Sequence, residues 1–302
     1  MGAADQLIAG NRWTAAISEL IRRTATELPV DVLTALKRAR DRRGESPRAH
    51  GILCTAIENA DLAQDAPSPI CQDTGTLTFW IDAPMDLNPI PLTAGIREAV
   101  AESTRNGYLR RNTIDTLSGR SIDDNLAPGC PVIHFEPSAD RTDVLIWLLL
   151  KGGGCENVSA QYSLPDNALN AGRDREGVRA CVLHAIWRAQ GLGCAPGVAG
   201  VCIGGDRAEG YLHAKRQLLR PLTDAAPEPE LAKLEARLLD EGNRLGIGPM
   251  GLGGEATLLG VKLAARSRLP ASYFVSIAYS CWACRRRGLT ASVEGNLKGW
   301  LG

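Results

Sequence analysis

"APSPICQDTGTLTFW", residues 66–80, is where the character of the chain changes. Two prolines interrupt the preceding pattern, a polar Cys-Gln-Asp-Thr-Gly turn comes next, and "TLTFWIDA" (76–83) then reads as a strand. On the N-terminal side the periodicity is helical. "NRWTAAISELIRRTATEL" carries apolar residues at helical spacing, and "PVDVLTALKRARDRRG" restarts after Pro29 and closes on Gly44. "SPRAHGILCTAIENADLAQD" forms a third helix, with Ser46 as N-cap and Pro47 in its first turn.

On the C-terminal side helix and strand alternate irregularly. A helix is predicted at about 92–106, followed by a loop through "GYLRRNTID". "PVIHFE" and "DVLIWLLLKGGG" read as two strands joined by a polar turn at 138–142. "DREGVRACVLHAIWRAQGLG" is helical, "PGVAGVCIGG" a buried strand, and "DRAEGYLHAKRQLLR" a helix that starts where glycines end. "PEPELAKLEARLLDEGNRLG" is a strongly periodic helix, and "ASYFVSIAYS" reads as the final strand. The expectation is a mixed α/β fold: a helix-rich N-terminal region (1–65) and a core (66–302) of mixed sheet flanked by helices, in one domain. The pattern does not give the strand order.

Composition narrows the function. Thirty-four basic and 34 acidic side chains cancel, so no cationic surface invites nucleic acid or anionic membrane. The longest apolar run, "VLIWLLL" (144–150), is far shorter than a membrane span. "MGAADQLIAGNRW" lacks the basic-then-apolar order of a secretory signal, so a cytoplasmic location is expected. Glycine clusters stand at element ends, in "KGGGC" (151–155), "GLGCAPG" (191–197), "IGGDRAEG" (203–210) and "GIGPMGLGG" (246–254), yet none matches a phosphate-binding loop.

Nine cysteines are many for a chain of 302 residues, and their odd number and wide spacing show no disulfide framework. Cys54, Cys181 and Cys202 lie inside periodic segments and read as core. Cys130 reads as structural, and Cys155 ends a glycine run where it could line a site. Cys71, Cys194 and Cys281 sit in turn-like contexts beside strands, far apart in sequence. They become ligands only if the fold gathers them; scattered structural thiols are the plainer alternative. Three thiolates on a four-iron cube would leave one iron open as a Lewis acid. Cys281 and Cys284 form a C-x-x-C, but no second C-x-x-C exists to complete a zinc ribbon.

The contexts carry more than the spacing. "CQDTG", "KGGGCEN", "GCAPGVAGVCIGGDRAEGYLHAKRQLLRP", "RLGIGPMGLGGEATLLGVKL" and "SCWACRRRG" occur in an order that resembles the α subunit of iron–sulfur hydro-lyases, from roughly residue 10 to 290. The likeness is to two-subunit class I fumarate hydratases and L(+)-tartrate dehydratases. It implies a [4Fe-4S] cluster with three cysteine ligands, Cys71, Cys194 and Cys281, and one open iron that binds a hydroxyl-bearing dicarboxylate. It also implies that Asp73 is the proton carrier, that Gln72 and Thr74 lie at the substrate, and that Arg110 grips a carboxylate with Arg111 as fallback. The turn containing Lys151, Gly153 and Gly154 matches the segment whose backbone approaches substrate. Each has a plainer reading, as turn satisfaction for Gln72 and Asp73 and a solvated cation for Arg110.

The resemblance further implies a β subunit that completes the site, in an (αβ)2 assembly. One departure stands out: Leu269 occupies the position of a family histidine that contacts substrate. This leaves fumarate/malate, mesaconate and tartrate all open. It also keeps a rival from another class, a non-catalytic or redox-sensing cluster carrier.

Overall fold

A computed structural model describes residues 3–42 and 44–302. In chain order the elements are α1 (Ala3–Thr26), α2 (Val30–Arg40), α3 (Pro47–Asp65), β1 (Thr76–Pro84), α4 (Pro89–Arg105), β2 (Val132–Ser138), β3 (Val144–Lys151), α5 (Gly153–Asn157) and β4 (Ala160–Ser163). They continue with α6 (Arg175–Ala189), β5 (Gly197–Gly204), α7 (Arg207–Gln217), α8 (Pro229–Arg244), β6 (Leu258–Arg266), β7 (Phe274–Ser280), β8 (Arg285–Ala291) and β9 (Leu297–Leu301). Two compact units result, each with its own sheet. One comprises Met1–Pro29, Asn59–Gly152 and Arg285–Gly302, the other Val30–Glu58 and Gly153–Cys284.

The first unit holds a five-stranded sheet in the order β2-β1-β3-β8-β9. β1 runs parallel to β2 and antiparallel to β3, and β8 is antiparallel to both its neighbours. Alternation puts Leu77, Phe79 and Ile81 of β1 on one face, where they meet Trp13, Ile17, Leu20 and Ile21 of α1 and Leu92, Ile96 and Val100 of α4. Each such side chain, fully buried, contributes roughly 1.5–3 kcal/mol relative to exposure. α4 begins cleanly because the Asn88 side chain accepts from Ile90 N at 3.0 Å and Pro89 fits the first turn. The strand register aligns three termini: Thr76 pairs with Lys151 and Leu150 with Arg285. The start of β1, the end of β3 and the start of β8 therefore share one end of the sheet. Parallel pairing of Thr78 with Val132 brings the long 106–131 segment in at that same end.

The second unit holds a four-stranded sheet in the order β4-β7-β5-β6. β5 is parallel to β6 and antiparallel to β7. Its core joins Val178, Val182 and Ile186 of α6 and Leu234 and Leu238 of α8 to Val201, Val261, Leu263, Val275 and Ile277 of the sheet. Asp174 caps α6 by accepting from Gly177 N, and Asp206 caps α7 by accepting from Ala208 and Glu209 N. No helix among the described residues is long and apolar enough to cross a membrane.

The mixed α/β architecture with flanking helices is as the sequence predicts, and Ser46 does cap α3, accepting from Ala49 N at 3.1 Å. "ASYFVSIAYS" is not the final strand, because β8 and β9 come after it. An arginine triplet usually faces water, but Arg285 is 1% exposed and Arg286 3%. "PVIHFE" and "DVLIWLLLK" are both strands, yet β1 lies between them. Cys181 and Cys202 are fully buried, and desolvation pushes their thiols up to about 12 and about 11. Cys54 is only half-buried on α3, with Sγ 3.7 Å from His50 Nδ1, so the core reading fails there.

Candidate active site

In the first unit the Cys71–Gly75 loop lies between α3 and β1, at the sheet end fixed by the register. Its entry is pinned where Ile70 N donates to Ala25 O at 3.0 Å and Asn59 Nδ2 donates to Ile70 O at 2.9 Å. Gln72 is exposed, Cys71 and Asp73 are half-buried, and Thr74 is buried. Gly75 adopts φ +77°, and a methyl group there would lie 2.4 Å from the Lys151 carbonyl. Only glycine lets the loop close this tightly on the Lys151-Gly152 turn.

Asp73 is held from three directions. Asn112 Nδ2 donates to Asp73 Oδ1 at 3.3 Å. Arg285 Nη2 donates to the Asp73 carbonyl at 2.7 Å. Gly152 lies so close that a methyl group on it would stand 2.8 Å from Asp73 Oδ2. Buried Thr74 accepts from Arg110 N through Oγ1 at 3.3 Å, which places the Arg110 segment beside the loop. The two candidate arginines then separate. Arg111 is committed to Asp123, Nη1 to Oδ1 at 3.0 Å, whereas the exposed Arg110 guanidinium has no hydrogen bond or ion pair among the described residues.

Arg285 is an unusual resident of this end of the sheet. Among the described residues its buried Nε and Nη1 have no hydrogen-bond partner. A buried guanidinium held only by a carbonyl is costly unless an anion neutralises it. Lys151 is equally buried at the end of β3. Buried Lys151 and Arg285 and exposed Arg110 therefore belong to the unit that carries Cys71 and Asp73.

In the second unit Val198 of β5 pairs with Ser280 of β7, so Cys194, just before β5, and Cys281, just after β7, emerge at the same sheet end. Trp282 N donates to Cys194 O at 3.2 Å and ties the two turns together. Cys194 is exposed and takes φ +52°; Cys281 is buried. The glycines around Cys194 have a packing reason: methyl groups on Gly193 and Gly197 would stand 2.5 Å and 2.1 Å from the Tyr279 ring. Burial pushes the Tyr279 hydroxyl well above its usual range, aided by the thiols of Cys281, Cys155 and Cys194. Cys155 is buried on α5, the short helix that Gly153 and Gly154 open. Glu156 fastens α5 to α7, accepting from Lys215 Nζ and from the Tyr211 hydroxyl, both at 2.6 Å. Leu269 is an exposed residue in the connection after β6.

Cys71, Gln72, Asp73, Thr74, Arg110 and Lys151 accordingly belong to the first unit, and Gly153, Gly154, Cys194 and Cys281 to the second. Among the described residues no three His, Cys, Asp or Glu side chains form a cage for a single metal ion. A cube presents a different demand, since each thiolate meets its own iron. The sequence reading missed Asn112, Asn125 and Arg285. Asparagine in a loop is usually turn chemistry, and an arginine triplet usually faces water. A signal for Gly152 was present in the glycine run that leaves β3.

The fumarate hydratase (Fumerase) family model matches residues 14–290. A provisionally named class I fumarate hydratase of Geobacillus stearothermophilus is 48% identical over 288 residues, which cover 94% of this chain and 56% of that protein. A provisionally named L(+)-tartrate dehydratase subunit alpha of Methanocaldococcus jannaschii is 35% identical, covering 89% of this chain and 94% of the relative. The L(+)-tartrate dehydratase subunit alpha of Escherichia coli is 29% identical, covering 97% and 95%. The chain therefore spans little more than half of the Geobacillus protein and nearly all of the two alpha subunits. With a match over nearly its whole length, the chain belongs to the fumarate hydratase (Fumerase) family.

Proposed function

We propose that this chain is the α-type half of a [4Fe-4S]-dependent hydro-lyase that adds water to a C4-type dicarboxylate and removes it, with fumarate and (S)-malate as the pair. The observation that carries the reading is Asp73, gripped from three sides while the Arg110 guanidinium beside its loop has no partner among the described residues. The 48% identity to a class I fumarate hydratase favours fumarate over tartrate.

The donor set fits the cofactor. Cys71, Cys194 and Cys281 would hold the cluster, all three from turns at strand ends rather than from helix or strand interiors. Buried, incompletely bonded Arg285 supplies the positive charge that an anionic cube and dicarboxylate demand. When bound, the cluster would provide a Lewis acid at its open iron, which makes hydroxide a better leaving group. The chain's own residues do the rest. Arg110 grips a substrate carboxylate with its planar fork, and Gln72 hydrogen-bonds another carboxylate oxygen. Lys151 adds positive charge, and the Gly153-Gly154 backbone approaches the substrate. Thr74 contributes through its hold on Arg110. Asp73 carries the proton at the substrate oxygen, a role in which positioned acid–base help is worth ~10²–10⁴-fold.

A β-type chain or domain completes the site, in an (αβ)2 assembly. The cytoplasm, a reducing compartment, suits thiolates and an open iron. The test is anaerobic reconstitution of the purified chain with iron and sulfide, then mixing with its companion β-type chain and assay on fumarate, mesaconate and L(+)-tartrate. Iron and sulfide in the chain and turnover of fumarate in the mixture are expected. No iron and sulfide would remove the cofactor; a loaded mixture inert on all three substrates would leave a redox-sensing cluster carrier. Faster turnover of L(+)-tartrate would move the substrate, an outcome that Leu269 in place of the family histidine makes worth measuring.

A further inference from the structure

Asn125 carries no reactive group, yet it organises the substrate side of the first unit. It is 2% exposed and takes φ +59°, the left-handed conformation that asparagine tolerates better than most residues. Its side-chain oxygen accepts from Asn112 N and Thr113 N, both at 3.0 Å. Its side-chain nitrogen donates to Arg110 O at 2.8 Å and to Thr104 Oγ1 at 3.0 Å. An amide has two donors and one carbonyl oxygen with two lone pairs, so the capacity of this buried group is fully used. Thr104 is itself anchored to α4 through Val100 O at 2.8 Å.

Three of those four bonds reach residues 110–113, a segment outside helix or sheet. Arg110, at its start, carries the guanidinium proposed to hold a carboxylate. Asn112, two residues on, donates to the carboxylate of Asp73. Asn125 therefore clamps a short stretch whose alternate side chains serve the two proposed jobs, gripping substrate and orienting the proton carrier. No other residue type of this size both accepts two backbone N–H groups and donates twice. Aspartate would turn both donors into acceptors and aim a carboxylate oxygen at the Arg110 carbonyl. Leucine would strip the Asn112 and Thr113 N–H groups and the Arg110 carbonyl of this partner.

We infer that Asn125 is a positioning residue of the hydration reaction, acting through Arg110 and through Asn112, which orients the Asp73 carboxylate. The inference rests on the proposed roles of Arg110 and Asp73. It is tested on the cluster-loaded chain assembled with its β-type partner and assayed with fumarate, by comparing Asn125→Asp, Asn112→Ala and Asp73→Asn with the parent. Rates are normalised to folded protein by circular dichroism and to iron content.

Asn125→Asp should lower kcat at least tenfold and raise KM at least threefold, because both arms are released. Asn112→Ala, which removes only an exposed side chain, should lower kcat about threefold and leave KM within twofold, as loss of one long, solvent-exposed hydrogen bond predicts. A purely structural Asn125 would lower the melting temperature and leave kcat and KM per loaded, folded site within twofold; that result, or an unchanged Asn112→Ala, overturns the inference. If Asn125→Asp does not accumulate, Asn112→Ala decides alone. An inert parent, or an Asp73→Asn variant as active as the parent, would instead sink the reading of the site itself.

Discussion

Gly152 and Gly75 flank the same loop, and the structure predicts opposite consequences for a methyl group at each. At Gly152 the methyl carbon would stand 2.8 Å from Asp73 Oδ2, where ordinary contact begins near 3.4 Å, so the carboxylate must yield by about 0.6 Å. The obstructing atom ends a flexible side chain, and that side chain can rotate away. The price is the Asn112 bond, about 0.5–1.5 kcal/mol of stability. A displacement of that size at the proposed proton carrier should cost on the order of 10²-fold in kcat. At Gly75 the methyl would meet backbone, 2.4 Å from the Lys151 carbonyl carbon, at φ +77°. Forcing a side chain into the left-handed region costs about 1–2 kcal/mol, and overpacking against atoms that cannot rotate adds about 1–3. Gly75→Ala should therefore be destabilised by about 2–5 kcal/mol in urea titrations of the cluster-free chain. Gly152→Ala should lose no more than about 1.5 kcal/mol while turnover of the assembled enzyme collapses. Full turnover in Gly152→Ala would refute the placement of Asp73, and a Gly75→Ala as stable as the parent would refute the backbone contact.

Other parts of the chain give three further expected outcomes. Gly197→Ala should destabilise the second unit by about 1–3 kcal/mol, because its methyl would lie 2.1 Å from the buried Tyr279 ring, and Tyr279→Leu in the same chain should recover part of that loss in thermal melts. Arg285→Met should leave the cluster-free chain close to its original stability, since it removes a buried charge along with one hydrogen bond, yet lower iron retention after anaerobic gel filtration; a variant that holds iron as well as the parent would contradict the charge argument. Glu19 is held down to about 2 by hydrogen bonding to Arg22, against burial that raises it, with Arg23 assisting. Its contribution is thus present above the usual carboxylate range and lost as pH falls toward 2. Glu19→Gln should lower the urea midpoint at pH 7 and converge on the parent in strong acid; the side chain is about a third exposed, so the gap should be modest.

How much of this is legible in the sequence depends on how local the signal is. The boundary at Pro67–Pro69, the Ser46 cap and the strand after the CQDTG turn are set by residues within a few positions of one another, and the sequence shows them. Strand order is not legible, because it is decided by pairing between distant segments: nothing inside β1 says that β3, more than sixty residues on, will lie beside it with Thr76 opposite Lys151. The same blindness hides β8. Arg285 and Arg286 look like solvent-facing charge until β3 is seen pairing with them, Leu150 opposite Arg285 and Leu149 opposite Arg286. Asn125 is the sharper case. Its partners lie 12 to 21 residues away, most of them in a segment without periodicity, so no window of sequence shows an amide with every donor and acceptor engaged. The residues named from the motifs include those that carry reactive groups, thiol, carboxylate and guanidinium. Those found only in three dimensions, Asn112, Asn125 and Arg285, hold them in place. Chemistry is written in residue type, which the sequence states outright. Orientation is written in contacts, which come into being only once antiparallel pairing has brought the ends of β1, β3 and β8 together.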